Sequence, residues 1–303
     1  ALGICAAAKI PASRQLMPLA FACGWGGIIT MVGTPPNIIA VGAMTSAGLE
    51  PFGFFEFAWI GIPVSIAGML YMMFVGKYLL PKVDLSADQE IEQEIEAAST
   101  SSTKQIISGV ILALVIITMA VGIPGVSLEI AAITGALVCV LTGCLTEKQA
   151  YASIDWVTIF LFAGMMPVSN AMDKTGAGKL IAEWAVSLMG GAPTPIIMTS
   201  VLFIISCTLT QFMSNTAAAA LLAPVGVAIS QQLGASPKAV LMAIGVAASC
   251  AFATPVGTPP CTLVLGPGGY KFMDYVKVGV PLVILCFIVS IIVIPMVWPF
   301  FPG

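Results

Sequence analysis

Ser214-Asn215-Thr216 puts three hydrogen-bonding side chains in a row, 43 positions ahead of Gly257-Thr258-Pro259-Pro260-Cys261. The second motif has a twin, Gly33-Thr34-Pro35-Pro36-Asn37. None of these residues is charged, so the chemistry they offer is binding rather than bond-breaking. Asn215 supplies amide donors and a carbonyl acceptor, and Ser214, Thr216 and Thr258 supply hydroxyls. The proline pairs lack N–H donors and push the residue before them out of the helical region. A helix broken there leaves carbonyls loose at the end of one half and N–H groups loose at the start of the next. Loose carbonyls suit Na⁺, and the N–H groups suit a carboxylate or another oxyanion. One polar tip and one broken-helix loop therefore offer both signs without a buried charge.

The two proline motifs belong to a longer match. At an offset of 224, Thr30 to Gly42 aligns without gaps on Thr254 to Gly266. The identical pairs are Thr30/Thr254, Val32/Val256, Gly33/Gly257, Thr34/Thr258, Pro35/Pro259, Pro36/Pro260 and Gly42/Gly266. A single Gly-Thr-Pro-Pro reads as a proline kink. Two at matched places in apolar repeats mark a transporter with discontinuous helices.

The elements that must carry these motifs are apolar throughout. The chain has 303 residues, 59% hydrophobic and 8% charged, with mean hydropathy +1.05; a soluble domain carries about 25% charge. The expected class is an all-α polytopic membrane protein. There is no basic stripe for nucleic acid. With no His, imidazole catalysis, metal ligation and proton relays are excluded. The eight Cys include no CxxC pair and read as packing residues. Glu129, Asp155, Asp173 and Glu183 fall at span ends, which argues against a proton antiporter with a mid-membrane carboxylate. The Ser and Cys nucleophiles lack an evident general base, which argues against an intramembrane enzyme.

In chain order, residues 1–80 read as the end of a first repeat. It holds a broken helix over 15–46 (Gln15 to Met31, a loop Val32 to Asn37, Ile38 to Ser46) and a span over 57–79. Residues 81–104, with Asp84, Asp88, Glu90, Glu92, Glu94 and Glu96, read as an acidic linker. Residues 105–190 read as scaffold spans (Gln105–Leu128, Ile130–Leu145, Trp156–Met172) and an interfacial helix, Lys174–Trp184. Residues 191–303 hold a hairpin over 194–231, a second broken helix over 238–270 and a last span over 278–301. The hairpin arms are short and meet at the polar cluster. That fits a re-entrant hairpin, and two full spans are the alternative.

Charge sets the orientation. Lys9, Arg14, Lys77, Lys82, Lys104, Lys148, Lys271 and Lys277 fall on one side, and Lys174, Lys179 and Lys238 on the other. The first side is expected to be cytoplasmic. The C-terminus then lies outside, and the two broken helices run in opposite directions as inverted repeats. A first-repeat counterpart of Ser214 would fall before Ala1. The chain is therefore expected to begin inside the second arm of a first hairpin whose own polar tip lies ahead of it.

With Ser214-Asn215-Thr216 and both Gly-Thr-Pro-Pro loops, the chain resembles the divalent anion:sodium symporter family of di- and tricarboxylate carriers. The resemblance implies a homodimer in the lipid bilayer, a bacterial inner membrane, an elevator-type movement and a small anionic substrate co-transported with Na⁺, with no organic cofactor. By position it implies a Na⁺ site at Thr210, Met213 (backbone carbonyl), Asn215 and Gly257, with Gly33 left from the other Na⁺ site. It implies substrate contacts from Ser214, Asn215, Thr216, Thr258, Pro259, Thr34 and Pro35. The implied function is Na⁺-coupled import of a C4-dicarboxylate such as succinate or malate. Sulfate, phosphate and citrate/dicarboxylate exchange are the alternatives on the same fold.

Overall fold

Long apolar runs without a partner strand close their backbone hydrogen bonds within helices, and a computed structural model shows helices and no strand among the described residues. These are 11–81, 102–121, 126, 128–154 and 194–301, with isolated positions between 156 and 190. The chain divides into two compact units, 1–86 with 158–303, and 87–157.

The larger unit begins with α1 (Ala12–Gly27), α2 (Pro35–Ser46) and α3 (Ala58–Tyr71), the last prolonged by a wide turn, Met72–Gly76, and Lys77–Leu79. In the smaller unit, α4 (Ser102–Val121) packs on α5 (Leu128–Leu141), and α6 (Glu147–Ala152) is opened by a capping box between Thr146 and Gln149. The larger unit resumes with α7 (Pro195–Thr210), α8 (Asn215–Leu233), α9 (Pro237–Ala248), α10 (Pro259–Leu265) and α11 (Phe272–Val297).

Both broken helices form, with boundaries that differ from expectation. The first break is 28–34, so α1 stops at Gly27 rather than Met31, and Pro35, Pro36 and Asn37 open α2 instead of lying in the loop. The second break is 249–258, and Pro259 and Pro260 open α10. The reason is the same in each case. A proline at the first helical positions has no N–H to satisfy and its φ already suits the helix, so the pair starts the second half rather than merely interrupting the first. The last helix likewise begins at Phe272, ahead of the expected 278.

The residues Ala58–Leu79, Asn215–Leu233 and Phe272–Val297 are each long and apolar enough to cross a membrane. On α11, Ile284, Ile288, Ile292 and Met296 form an exposed apolar stripe. At the centre of the larger unit is α9, whose residues from Ala239 to Ala248 are all buried. It packs on α7, α8, α2 and α11. The two broken helices contact each other half to half: α2 lies on α9, and α1 on α10. The acidic stretch from Asp84 to Glu96, and most of the expected span and interfacial helix between 156 and 184, lie outside the described residues.

Candidate functional site

The two breaks share their backbone geometry. Thr34 (φ −148°, ψ 142°) and Thr258 (φ −134°, ψ 144°) are both extended N-caps, and neither side chain makes a capping bond. Between α7 and α8 the chain reverses over residues 211–214. Ser214 is the N-cap of α8, its Oγ accepting from the Ala217 N–H at 3.2 Å. That bond uses the oxygen as acceptor and leaves the Ser214 hydroxyl proton for another partner.

The polar tip meets the second break. Thr210 is fully buried at the end of α7, and its hydroxyl donates to the carbonyl of Ala248, the last residue of α9, at 2.8 Å. Asn215 sits beside it. With its amide nitrogen inward, Asn215 donates to Thr210 Oγ1 (2.6 Å), Gly257 O (3.0 Å) and Ala248 O (3.1 Å). With its oxygen inward, it accepts from Thr210 Oγ1 at 2.6 Å, but that oxygen faces two carbonyls. Hydrogen bonding favours the first orientation. In either orientation one terminal atom of Asn215 lies at the focus of three protein oxygens, and two of those are main-chain carbonyls freed by the break.

Glycine at 257 is required by close approach. A Cβ there would lie 2.6 Å from the Ala251 Cβ and 3.1 Å from Thr210 O. At Gly33, a Cβ would collide with the carbonyl oxygen of Gly27, so the first break is as tight as the second.

The structure thus brings Thr210, Asn215 and Gly257 into one cluster. Thr216 and Thr258 are buried, whereas Ser214 and Pro259 are exposed. Met213 donates its N–H to Leu209 O, within the turn. Gly33 and Thr34 belong to the other break and Pro35 to the helix start beside it; this break meets the second through a hydrogen bond, Thr34 Oγ1 to Ser249 Oγ at 3.4 Å. The sequence reasoning missed Ala248 and Ser249. A main-chain carbonyl carries no residue-type signal, although the end of the helix ahead of Gly257 was the place to look for one.

The citrate transporter family model matches residues 1–235 and 126–301. The chain belongs to the citrate transporter family. Among its relatives, it is 43% identical over 171 residues to an uncharacterized transporter of Escherichia coli K12, covering 55% of this chain and 28% of that protein. It is 34% identical over 292 residues to an uncharacterized transporter of Haemophilus influenzae, covering 90% of this chain and 60% of that protein. It is 26% identical over 309 residues to the sodium-dependent dicarboxylate transporter SdcS of Staphylococcus aureus, covering 95% of this chain and 59% of that protein. The chain spans less than two thirds of the length of these relatives. The family and the relatives' names are those of transporters, not enzymes, and the apolar helices accord with an integral membrane protein.

Proposed function

We propose that the chain forms the substrate-binding part of a secondary active transporter that imports a C4-dicarboxylate, such as succinate or malate, together with Na⁺. The observation that carries this is the focus of Thr210 Oγ1, Ala248 O and Gly257 O on the end of the Asn215 side chain. The Asn215 terminal atom itself occupies that focus; drawn back with its amide oxygen facing the point, Asn215 would join Thr210 Oγ1, Ala248 O and Gly257 O as a fourth uncharged oxygen around a monovalent cation seated there. The hydroxyls of Ser214, Thr216 and Thr258 supply donors to the dianion. Met213 O is a further proposed ligand of this cation, Gly33 belongs to the other proposed cation site, and Thr34, Pro35 and Pro259 are the further proposed substrate contacts. The name of the Staphylococcus aureus relative supports both the cation and the cargo.

The proposal includes inverted repeats. Two tethers at opposite ends of the broken helices support it. Tyr270, after α10, donates to Ser13 O at 2.7 Å and accepts from Met17 N at 2.8 Å, at the start of α1. Lys238, at the start of α9, meets Glu56 at 3.5 Å, beyond the end of α2, and Glu56 also accepts from Trp298 Nε1 at 2.9 Å. The start of each broken helix therefore lies by the far end of the other. A homodimer in the inner membrane, moving as an elevator with the 81–104 segment cytoplasmic and the C-terminus outside, is part of the same proposal. The family's citrate description favours a tricarboxylate as the second cargo.

The test is uptake of labelled succinate by the full-length protein in proteoliposomes, with and without an inward Na⁺ gradient, against unlabelled citrate, sulfate and phosphate. The expected result is Na⁺-dependent uptake blocked by dicarboxylates. Uptake that ignores Na⁺ but needs an internal counter-substrate makes the protein an exchanger and removes the cation role from Thr210, Asn215 and Gly257.

A further inference from the structure

Gln211, one residue beyond Thr210, belongs to none of the proposed ligands, yet its side chain is fully engaged. Its Nε2 donates to Cys207 O at 3.0 Å and to Cys250 O at 3.2 Å, and its Oε1 accepts from Ala253 N at 3.1 Å. Its own carbonyl accepts from Thr254 Oγ1 at 2.9 Å. The Cys207 bond is local, as expected of a residue closing a helix. The other three cross from the hairpin tip to the second break. They hold residues 250, 253 and 254, inside the 249–258 loop that ends with Gly257 and Thr258.

The cation cluster draws its oxygens from both of these pieces. Thr210 and Asn215 flank Gln211 on the hairpin, while Ala248 and Gly257 flank the anchored residues on the broken helix. A binding constellation works only when its members are held to about 0.5 Å. Thr210 Oγ1 to Ala248 O at 2.8 Å and Cys207 Sγ to Cys250 O at 3.6 Å also join the two pieces at the end of α9, and the bonds of Gln211 extend the connection into the loop at residues 253 and 254.

We propose that Gln211 is a positioning residue that clamps the 249–258 loop to the hairpin tip and thereby sets the spacing of the Thr210, Asn215, Ala248 and Gly257 oxygens. The proposal rests on the binding-site reading above for its consequence in transport, but not for the clamp itself. Gln is suited to the task because one planar amide carries donors for Cys207 O and Cys250 O and an acceptor for Ala253 N. Its neutrality also keeps a fixed charge away from a site that must take up a cation and an anion together.

The test uses Gln211→Glu and Gln211→Met in the full-length protein. Glu keeps an acceptor for Ala253 N and, when ionised, loses both donors; Met keeps the length and loses all three bonds. Both variants are expected to raise the half-saturating Na⁺ concentration about tenfold, the effect of losing buried hydrogen bonds, with maximal uptake within about twofold of wild type. Hydrogen–deuterium exchange without Na⁺ is expected to accelerate in peptides covering 250–254 and to stay unchanged over 28–34. Folded variants with a normal Na⁺ requirement, with lower maximal uptake alone, or with unchanged exchange at 250–254 would overturn the proposal. Should wild-type uptake prove independent of Na⁺, the sodium reading falls. The clamp is then decided by exchange at 250–254 together with the half-saturating succinate concentration: a rise in both upholds it, and no change in either overturns it. If neither variant folds, rapid exchange of the wild-type Ala253 amide would by itself overturn the clamp.

Discussion

The two breaks, 28–34 and 249–258, share their proline pair, their extended threonine cap and their glycine, yet they are held in place by different means. The first is braced from within. Asn37, fully buried on α2, reaches back and donates to Thr30 O at 2.9 Å and Ile28 O at 3.3 Å. The second has Cys261 at the matched position, which has no such reach. Its carbonyl accepts from Tyr275 on α11 instead, and its loop is braced by Gln211 on the hairpin. A repeat can therefore preserve a backbone path while reassigning the side chains that stabilise it. The brace of the second break ties it to the polar tip that shares its oxygens.

The sharpest way to break this comparison is at the shared focus. Asn215→Ala removes the terminal atom that faces all three oxygens, so uptake of succinate and its Na⁺ dependence are expected to fall to background while expression stays near normal; unchanged uptake would dismiss the site. Next come the two tight glycines. Gly33→Ala drives a methyl into a main-chain carbonyl, whereas Gly257→Ala meets a side-chain methyl first. Both are expected to destabilise by about 1–3 kcal/mol, the range for overpacking, with the larger fall in thermal midpoint at Gly33.

Asn37→Cys, which installs the second repeat's residue in the first, removes two buried donors' worth of bonding. It is expected to cost about 1–3 kcal/mol and to accelerate amide exchange over 28–34 without affecting 249–258. Equal acceleration in both loops would erase the distinction between self-braced and cross-braced breaks. The smallest effect is expected at Lys238→Met. Its ion pair with Glu56 is partly exposed, and Glu56 keeps its bonds to Gly53 N and Trp298 Nε1. The expected loss of stability is about 0.2–1 kcal/mol, measured by thermal unfolding in detergent.

Much of this molecule was legible without coordinates, because its strongest signals are covalent. A proline pair disfavours helix on its N-terminal side, so breaks near Pro35 and Pro259 followed from residue type alone. The ends of those breaks did not. Whether Pro35-Pro36 belongs to the loop or to α2 depends on where the first free N–H groups find partners, and the prolines answered that by opening the helix. The polar tip was equally visible, since Ser214, Asn215 and Thr216 stand out against apolar arms.

The amino-acid sequence by itself determined that the chain is helical and apolar, that it carries two matched breaks and one polar tip, and that the site is built without charge. Those properties reside in side-chain type and in the missing N–H of proline, and they hold wherever the segment is placed. Tertiary structure alone decided which oxygens meet. The carbonyls of Ala248 and Gly257 are chemically the same as every other carbonyl in the chain. They become part of the candidate site only because α9 ends where α7 turns, bringing the Thr210 hydroxyl to 2.8 Å from Ala248 O and the end of the Asn215 side chain within 3.1 Å of both carbonyls. It also decided that Gln211, rather than a partner of Cys261, would hold the second break, because hydrogen bonds between residues some forty positions apart depend on packing and leave no periodic trace in the chain.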